Sequence, residues 1–158
     1  MNLFKQGTVR SSEEILVIAR PVFSLFLLAA SVAAASATTR IADDEGGQIG
    51  QYLAKYRALR QSGDNVVVDG VCASACTMVL GAVPRRRLCV TPRAVFEFHS
   101  AWDPASAGAP VISNAGNRLL WSSYPRDIRQ WILRHGGLGL RVIALRGRDL
   151  LKMYRACP

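Results

Sequence analysis

The sequence lacks an apolar run of membrane-spanning length. Its longest, Pro21 to Ala35, is about 15 residues, against the ~20 that a transmembrane helix needs. Acidic side chains are scarce, 11 against 20 lysines and arginines, which leaves a formal charge of +9. The arginines are scattered except for Arg85-Arg86-Arg87, which reads as a solvated turn, and no nucleic-acid-binding motif accompanies them. Nucleic acid is therefore not an expected partner. Metal-ligand spacing is also missing, because Cys72 and Cys76 form a C-x3-C pair whose further ligands are distant. No metal or other cofactor is expected, and no internal repeat is present.

The remaining features are directional. Lys5, Arg10 and Arg20 precede the apolar run, and Ala35-Ser36-Ala37 follows it. A positive flank, a short apolar core and an A-x-A site mark a secretory signal. Residues 1–37 are thus expected to be a signal peptide, with an uncleaved N-terminal membrane anchor as the alternative. Either one places residues 38–158 outside the cytoplasm, in the periplasm or beyond. The first 37 residues hold three basic and two acidic side chains, so the rest keeps 17 and 9. Such a surface suits an anionic membrane face better than a neutral one. Four cysteines, Cys72, Cys76, Cys89 and Cys157, follow the leader. An even number in an exported chain favours disulfides, with three pairings open.

Periodicity gives the elements. Ile49, Tyr52, Leu53, Tyr56 and Leu59 fall at helical spacing, predicting a helix from Gln48 to about Gln61 that Ser62-Gly63-Asp64 ends. Val66-Val67-Val68 reads as a strand buried on both faces. Ala73 to about Val83 reads as a buried helix. Leu88–Val90 and Ala94–Phe98 read as a second strand region, bent at Thr91-Pro92. Trp102 to Gly116, rich in small residues and proline, reads as a mobile loop. Asn117 to His135 reads as helix with a break at Pro125, and Gly147 to Tyr154 as a last short helix. Buried strands alternating with helices predict an α/β domain with a small parallel sheet and right-handed crossovers.

One segment bears chemistry. A buried strand passes through Gly70 into a helix that starts at Ser74. There the unpaired N–H groups and positive potential of a helix N-terminus would stabilise an oxyanion, although a serine at that place can also simply cap the helix. His99 follows the strand Val95–Phe98, 25 residues after Ser74, and a histidine there can serve a serine as general base. The second histidine, His135, reads as a helix C-terminal residue. Trp102, Trp121 and Trp131 read as core and loop anchors.

Together these residues resemble the ClpP peptidase family, within the ClpP/crotonase superfamily. Gly46-Gly47-Gln48-Ile49 is similar to its Gly-Gly turn opening a helix. Gly70-Val-Cys-Ala-Ser74 matches the glycine and serine of its G-x-x-x-S-M-G motif, with Ala75 and Cys76 in place of Met and Gly. Arg87-Leu-Cys89-Val-Thr-Pro92 through His99 is similar to its R-x-C-x-P strand and catalytic histidine. Small exported ClpP-like bacterial proteins look nearest, and the likeness spans Gly46 to about Ala101.

That resemblance implies a serine hydrolase with a peptide or protein substrate. Ser74 would be the nucleophile, His99 the base, and the amides of Gly47 and Ala75 the oxyanion hole. It also implies a truncated fold, since only eight residues separate Ala37 from Gly46, too few for the first strand–helix–strand unit. For the acid that orients the histidine Asp149 is the first choice, with Asp127 and Asp103 behind it. One pairing, Cys76 with Cys89, would tie the serine helix to the following strand, leaving Cys72 and Cys157. The rival expectation is a non-catalytic, disulfide-stabilised binding module of the cell envelope.

Overall fold

A computed structural model describes residues 37–103 and 111–158. The expected leader therefore lies outside the described residues but for Ala37. Among the described residues, no helix is long and apolar enough to cross a membrane.

The protein is a mixed α/β domain with one small all-parallel sheet. Strand β1 (Thr38–Ile41) leads through the Gly46-Gly47 turn to helix α1 (Ile49–Ser62), which Gly63 ends with a left-handed φ of 81°. Strand β2 (Asn65–Val68) then pairs in parallel with β1 on one side and β4 (Leu88–Val90) on the other, giving the order β1-β2-β4. A second sheet holds β3 (Val71–Ala73), β5 (Val95–Phe98) and β8 (Ile143–Arg146) in the order β3-β5-β8. There β3 and β5 are parallel, and β8 is antiparallel to β5.

Two chain bends create the two sheets. The path β2–β3 breaks at Asp69-Gly70, and the path β4–β5 breaks at Thr91-Pro92-Arg93. The side chain of Asp69 is almost wholly buried and lies where the bends meet. It accepts from Thr91 Oγ1 at 2.6 Å and from Arg93 Nε at 3.0 Å and Nη2 at 2.6 Å, and it also pairs with Arg40 of β1. A buried carboxylate is tolerated only with such complete pairing, so both bends are fixed by one side chain. The β2 strand alternates between buried Val66 and Val68 and half-buried Asn65 and Val67. The expected burial on both faces holds instead for β4.

Helical structure covers these sheets. After β3 the chain makes a 3-10 turn (Ser74–Met78) and a single turn of helix α2 (Val79–Ala82), where one continuous helix was expected. Tyr56, fully buried on α1, donates to the carbonyl of Cys76 at 2.8 Å and so locks α1 onto the 3-10 turn. The described residues within the expected loop at Trp102–Gly116 include regular structure. Its ends pair as β6 (Trp102–Asp103) and β7 (Val111–Ile112), and α3 (Asn114–Ser123) starts inside it, capped by the Ser113 hydroxyl. The break at Pro125 is present, with α4 (Arg126–Arg134) beyond it. The last helix, α5, is Gly147–Leu151.

All four cysteines are paired, Cys72 with Cys76 and Cys89 with Cys157. Of the three pairings left open by the sequence, this one leaves Cys76 and Cys89 unjoined. The 3-10 turn folds Cys76 back over the end of β3, bringing its Cα to 5.3 Å from that of Cys72, within the span a disulfide bridges. Cys89 sits in β4 beside the returning C-terminus, where Cys157 N–H donates to Val90 at 3.0 Å. Two disulfides fit an oxidising compartment.

Candidate active site

The junction of β3 with the 3-10 turn fixes Ser74. Its backbone has φ of 53°, one of two non-glycine residues with positive φ among the described residues. That conformation costs a side-chain-bearing residue roughly 1–2 kcal/mol and persists only where the surroundings impose it. Three restraints do so. The Ser74 carbonyl accepts from Thr77 Oγ1 at 2.6 Å, and that hydroxyl shares a 2.7 Å hydrogen bond with buried Tyr124. The Cys72–Cys76 disulfide closes a ring across the serine. The third restraint is the glycine turn, packed against the serine itself.

That turn is laid beside β3 like a short extra strand. Asp44 N–H donates to Val71 at 2.8 Å, and Ala73 N–H donates to Asp44 at 2.8 Å. The Asp44 carboxylate then takes the Gly46 amide at 3.0 Å, the Lys55 ammonium at 3.0 Å and the Tyr52 hydroxyl. With Gly46 N–H so engaged, the next amide along the turn is that of Gly47. Gly46 touches the serine: a Cβ there would lie 2.5 Å from the Ala73 carbonyl, 2.7 Å from Ser74 Cβ and 3.0 Å from the Ala75 amide nitrogen. The Ala75 amide lies in the first turn of a helix, where N–H groups lack intrahelical acceptors.

Burial pushes the Asp44 carboxyl up, but the hydrogen bonds from Tyr52, Lys55 and Gly46 outweigh it and hold the group below its ordinary value of 3.8. Burial and the Asp44 charge raise the Tyr52 phenol, which stays protonated as a donor. A depressed carboxyl stabilises the fold above its unfolded value and loses that contribution as pH falls through its folded value. The clamp is therefore expected to hold from neutral pH down to about 4 and to release below the ordinary carboxyl value. Acid unfolding should show this as a falling limb below pH 4 that Asp44→Asn flattens. An unchanged limb in that variant would remove Asp44 from the clamp.

His99 follows β5 directly. Its Nδ1 lies 2.8 Å from the Ser100 carbonyl oxygen. A carbonyl can only accept, so in the neutral ring Nδ1 carries the proton and leaves the lone pair on Nε2. The loop beyond is fastened to α3, with Ala101 N–H donating to Asn117 Oδ1 at 2.7 Å and Ser113 N–H donating to Ala101 at 2.9 Å.

Ser74 and His99 line one cavity of about 840 Å³, together with Gly46, Gly47 and Asp103. Among the described residues no hydrogen bond joins the two side chains. Of the three acids considered, Asp103 alone reaches this cavity. Asp149 is exposed on α5 and paired with Lys152 at 2.9 Å, and Asp127 is paired with Arg85 at 2.5 Å. Asp149, the first choice for the acid, is thus not among the residues lining this cavity, because β8 and α5 carry it to an exposed surface. The ring is held by a main-chain carbonyl. Sequence reasoning missed Asp44, Thr77 and Tyr124, whose contacts with the site join segments up to 47 residues apart. His135 is the α4 C-cap, with Nδ1 2.7 Å from the Trp131 carbonyl and its ring stacked on Trp131. No protein-family model matches the chain, and no curated protein matches it.

Proposed function

We propose that the protein is an exported serine hydrolase acting on peptide or protein substrates, on a shortened ClpP-like scaffold with right-handed crossovers. The observation that carries this reading is the left-handed backbone of Ser74 at a strand-to-helix turn, in a cavity shared with His99. A strained turn of that kind pushes a hydroxyl out of the chain's path towards a substrate. The proposed reaction begins with Ser74 Oγ attacking the acyl carbon while its proton passes to His99 Nε2. The amides of Gly47 and Ala75 receive the oxyanion. Collapse expels the leaving amine or alcohol, which takes the proton from His99. Water then attacks the acyl-serine by the reverse path and frees the acid.

A non-catalytic binding module is the second reading. It is favoured by the absence of a Ser74–His99 hydrogen bond among the described residues and by a histidine oriented through a carbonyl rather than a carboxylate. Apo sites often tighten only on binding, so labelling decides between the two. A fluorophosphonate probe is expected to modify the oxidised full chain at Ser74. Ser74→Ala should abolish the modification, and His99→Ala should slow it by about 10²–10⁴. Folded protein that remains unlabelled would establish the binding module.

A further inference from the structure

The cavity wall has a charge opposite to that of the molecule. The chain carries 20 basic and 11 acidic residues, yet among the described residues no lysine or arginine lines this cavity. Its ionisable groups are Glu45, His99 and Asp103. Glu45 adjoins the glycine turn that touches Ser74, and Asp103 lies four residues beyond His99. Each of the two segments that build the site thus contributes one carboxylate. Neither forms an ion pair among the described residues, whereas Asp44, Asp69, Asp127 and Asp149 each hold a basic partner. Between His99 and Asp103 in the chain, Trp102 is 53 % exposed and lines the same cavity.

We infer that the site selects substrates bearing a cationic side chain, lysine-like or arginine-like, next to the acyl group that Ser74 attacks. An ammonium or guanidinium entering here meets two uncompensated carboxylates and an indole face that attracts cations. The positive charge of the rest of the surface opposes entry only weakly. At physiological ionic strength the screening length is ~8 Å, so charges across the domain are damped and those lining the cavity dominate. An anionic side chain entering here meets two like charges and no basic side chain among the described lining residues.

The inference rests on the hydrolase reading for the identity of the acyl group, but the charge preference is measurable without turnover. Three blocked tripeptide amides, with lysine, norleucine or glutamate at the centre, are titrated into the full oxidised chain carrying Ser74→Ala. The lysyl peptide is expected to bind about tenfold more tightly than the norleucyl peptide, with the glutamyl peptide weakest. That preference should shrink in about 0.5 M salt, roughly three times physiological strength, and vanish in Glu45→Gln/Asp103→Asn. Equal binding of lysyl and norleucyl peptides, or no binding of the lysyl peptide, overturns the inference. The matching nitrophenyl esters are then offered to the unaltered chain. Lysyl-selective binding without ester hydrolysis would overturn the hydrolase reading and leave the charge preference standing.

Discussion

Gly46→Ala is expected to slow fluorophosphonate labelling of Ser74 by about 10²–10³, the usual consequence of losing one oxyanion donor, while the protein stays folded. The reason is geometric. Gly46 has φ of 83°, which a Cβ disfavours, and that Cβ would fall 2.5 Å from the Ala73 carbonyl and 2.7 Å from Ser74 Cβ. None of these neighbours is a flexible chain end. Ala73 is pinned in β3 through its amide to Asp44, and Ser74 is pinned through its carbonyl to Thr77. The glycine turn must retreat, and the Gly47 amide retreats with it. Overpacking of this sort costs about 1–3 kcal/mol, less than the ~5–15 kcal/mol that holds a typical domain. The labelling rate should therefore fall much further than the stability. Gly50→Ala is the control: that glycine lies in the first turn of α1 with nothing within 4 Å of an added Cβ, so labelling should not change. A Gly46→Ala protein that labels at the parental rate would show that the turn does not shape the site.

The parts of this architecture legible in the sequence are those set by local pattern. The Val66–Val68 run and the Gly70 turn announced β2 and the turn towards Ser74, and Thr91-Pro92 announced the bend before β5, whereas the three residues of β3 (Val71–Ala73) were too few to read as a strand. The Ser113 cap of α3 went unread, because the proline- and glycine-rich residues before it read as loop. Strand β8 escaped because it is four residues long, and its alternation of buried Ile143 and Leu145 with exposed Ala144 and Arg146 is too short to separate from a loop. Its antiparallel pairing with β5 also departs from the all-parallel expectation. The polar partners were invisible for a different reason. Asp44 reaches Gly46 locally but acts through Tyr52 and Lys55, and Asp69 joins β1 to the bend between β4 and β5. Such contacts follow from where the bends place the chain, and no spacing rule encodes that. The place of Asp149 was illegible for the same reason, since 50 residues of separation from His99 do not say on which side of a sheet a helix lands.

The two disulfides should separate fold from site. Cys89–Cys157 closes a sequence separation of 68, and the chain-entropy relation gives such a loop about 4 kcal/mol. It holds the C-terminus against β4, where the Val90 carbonyl takes Cys157 N–H and Val90 N–H reaches the Arg155 carbonyl. Cys72–Cys76 encloses a separation of only four, for which the same relation gives about 2 kcal/mol. Urea unfolding of Cys89→Ala/Cys157→Ala is thus expected to show roughly 4 kcal/mol less stability, enough to leave a domain of this size marginal. Probe labelling of the fraction still folded should keep the parental rate, because no atom near Ser74 has moved. Cys72→Ala/Cys76→Ala should show the converse, with the smaller loss of stability and the larger loss of labelling. Without that ring, the left-handed Ser74 backbone rests only on the Thr77 hydrogen bond and the packing of Gly46. If the short loop proved to carry the larger share of stability, or its removal left labelling intact, the disulfide across the serine would be a fold staple and the geometry of the nucleophile would need another source.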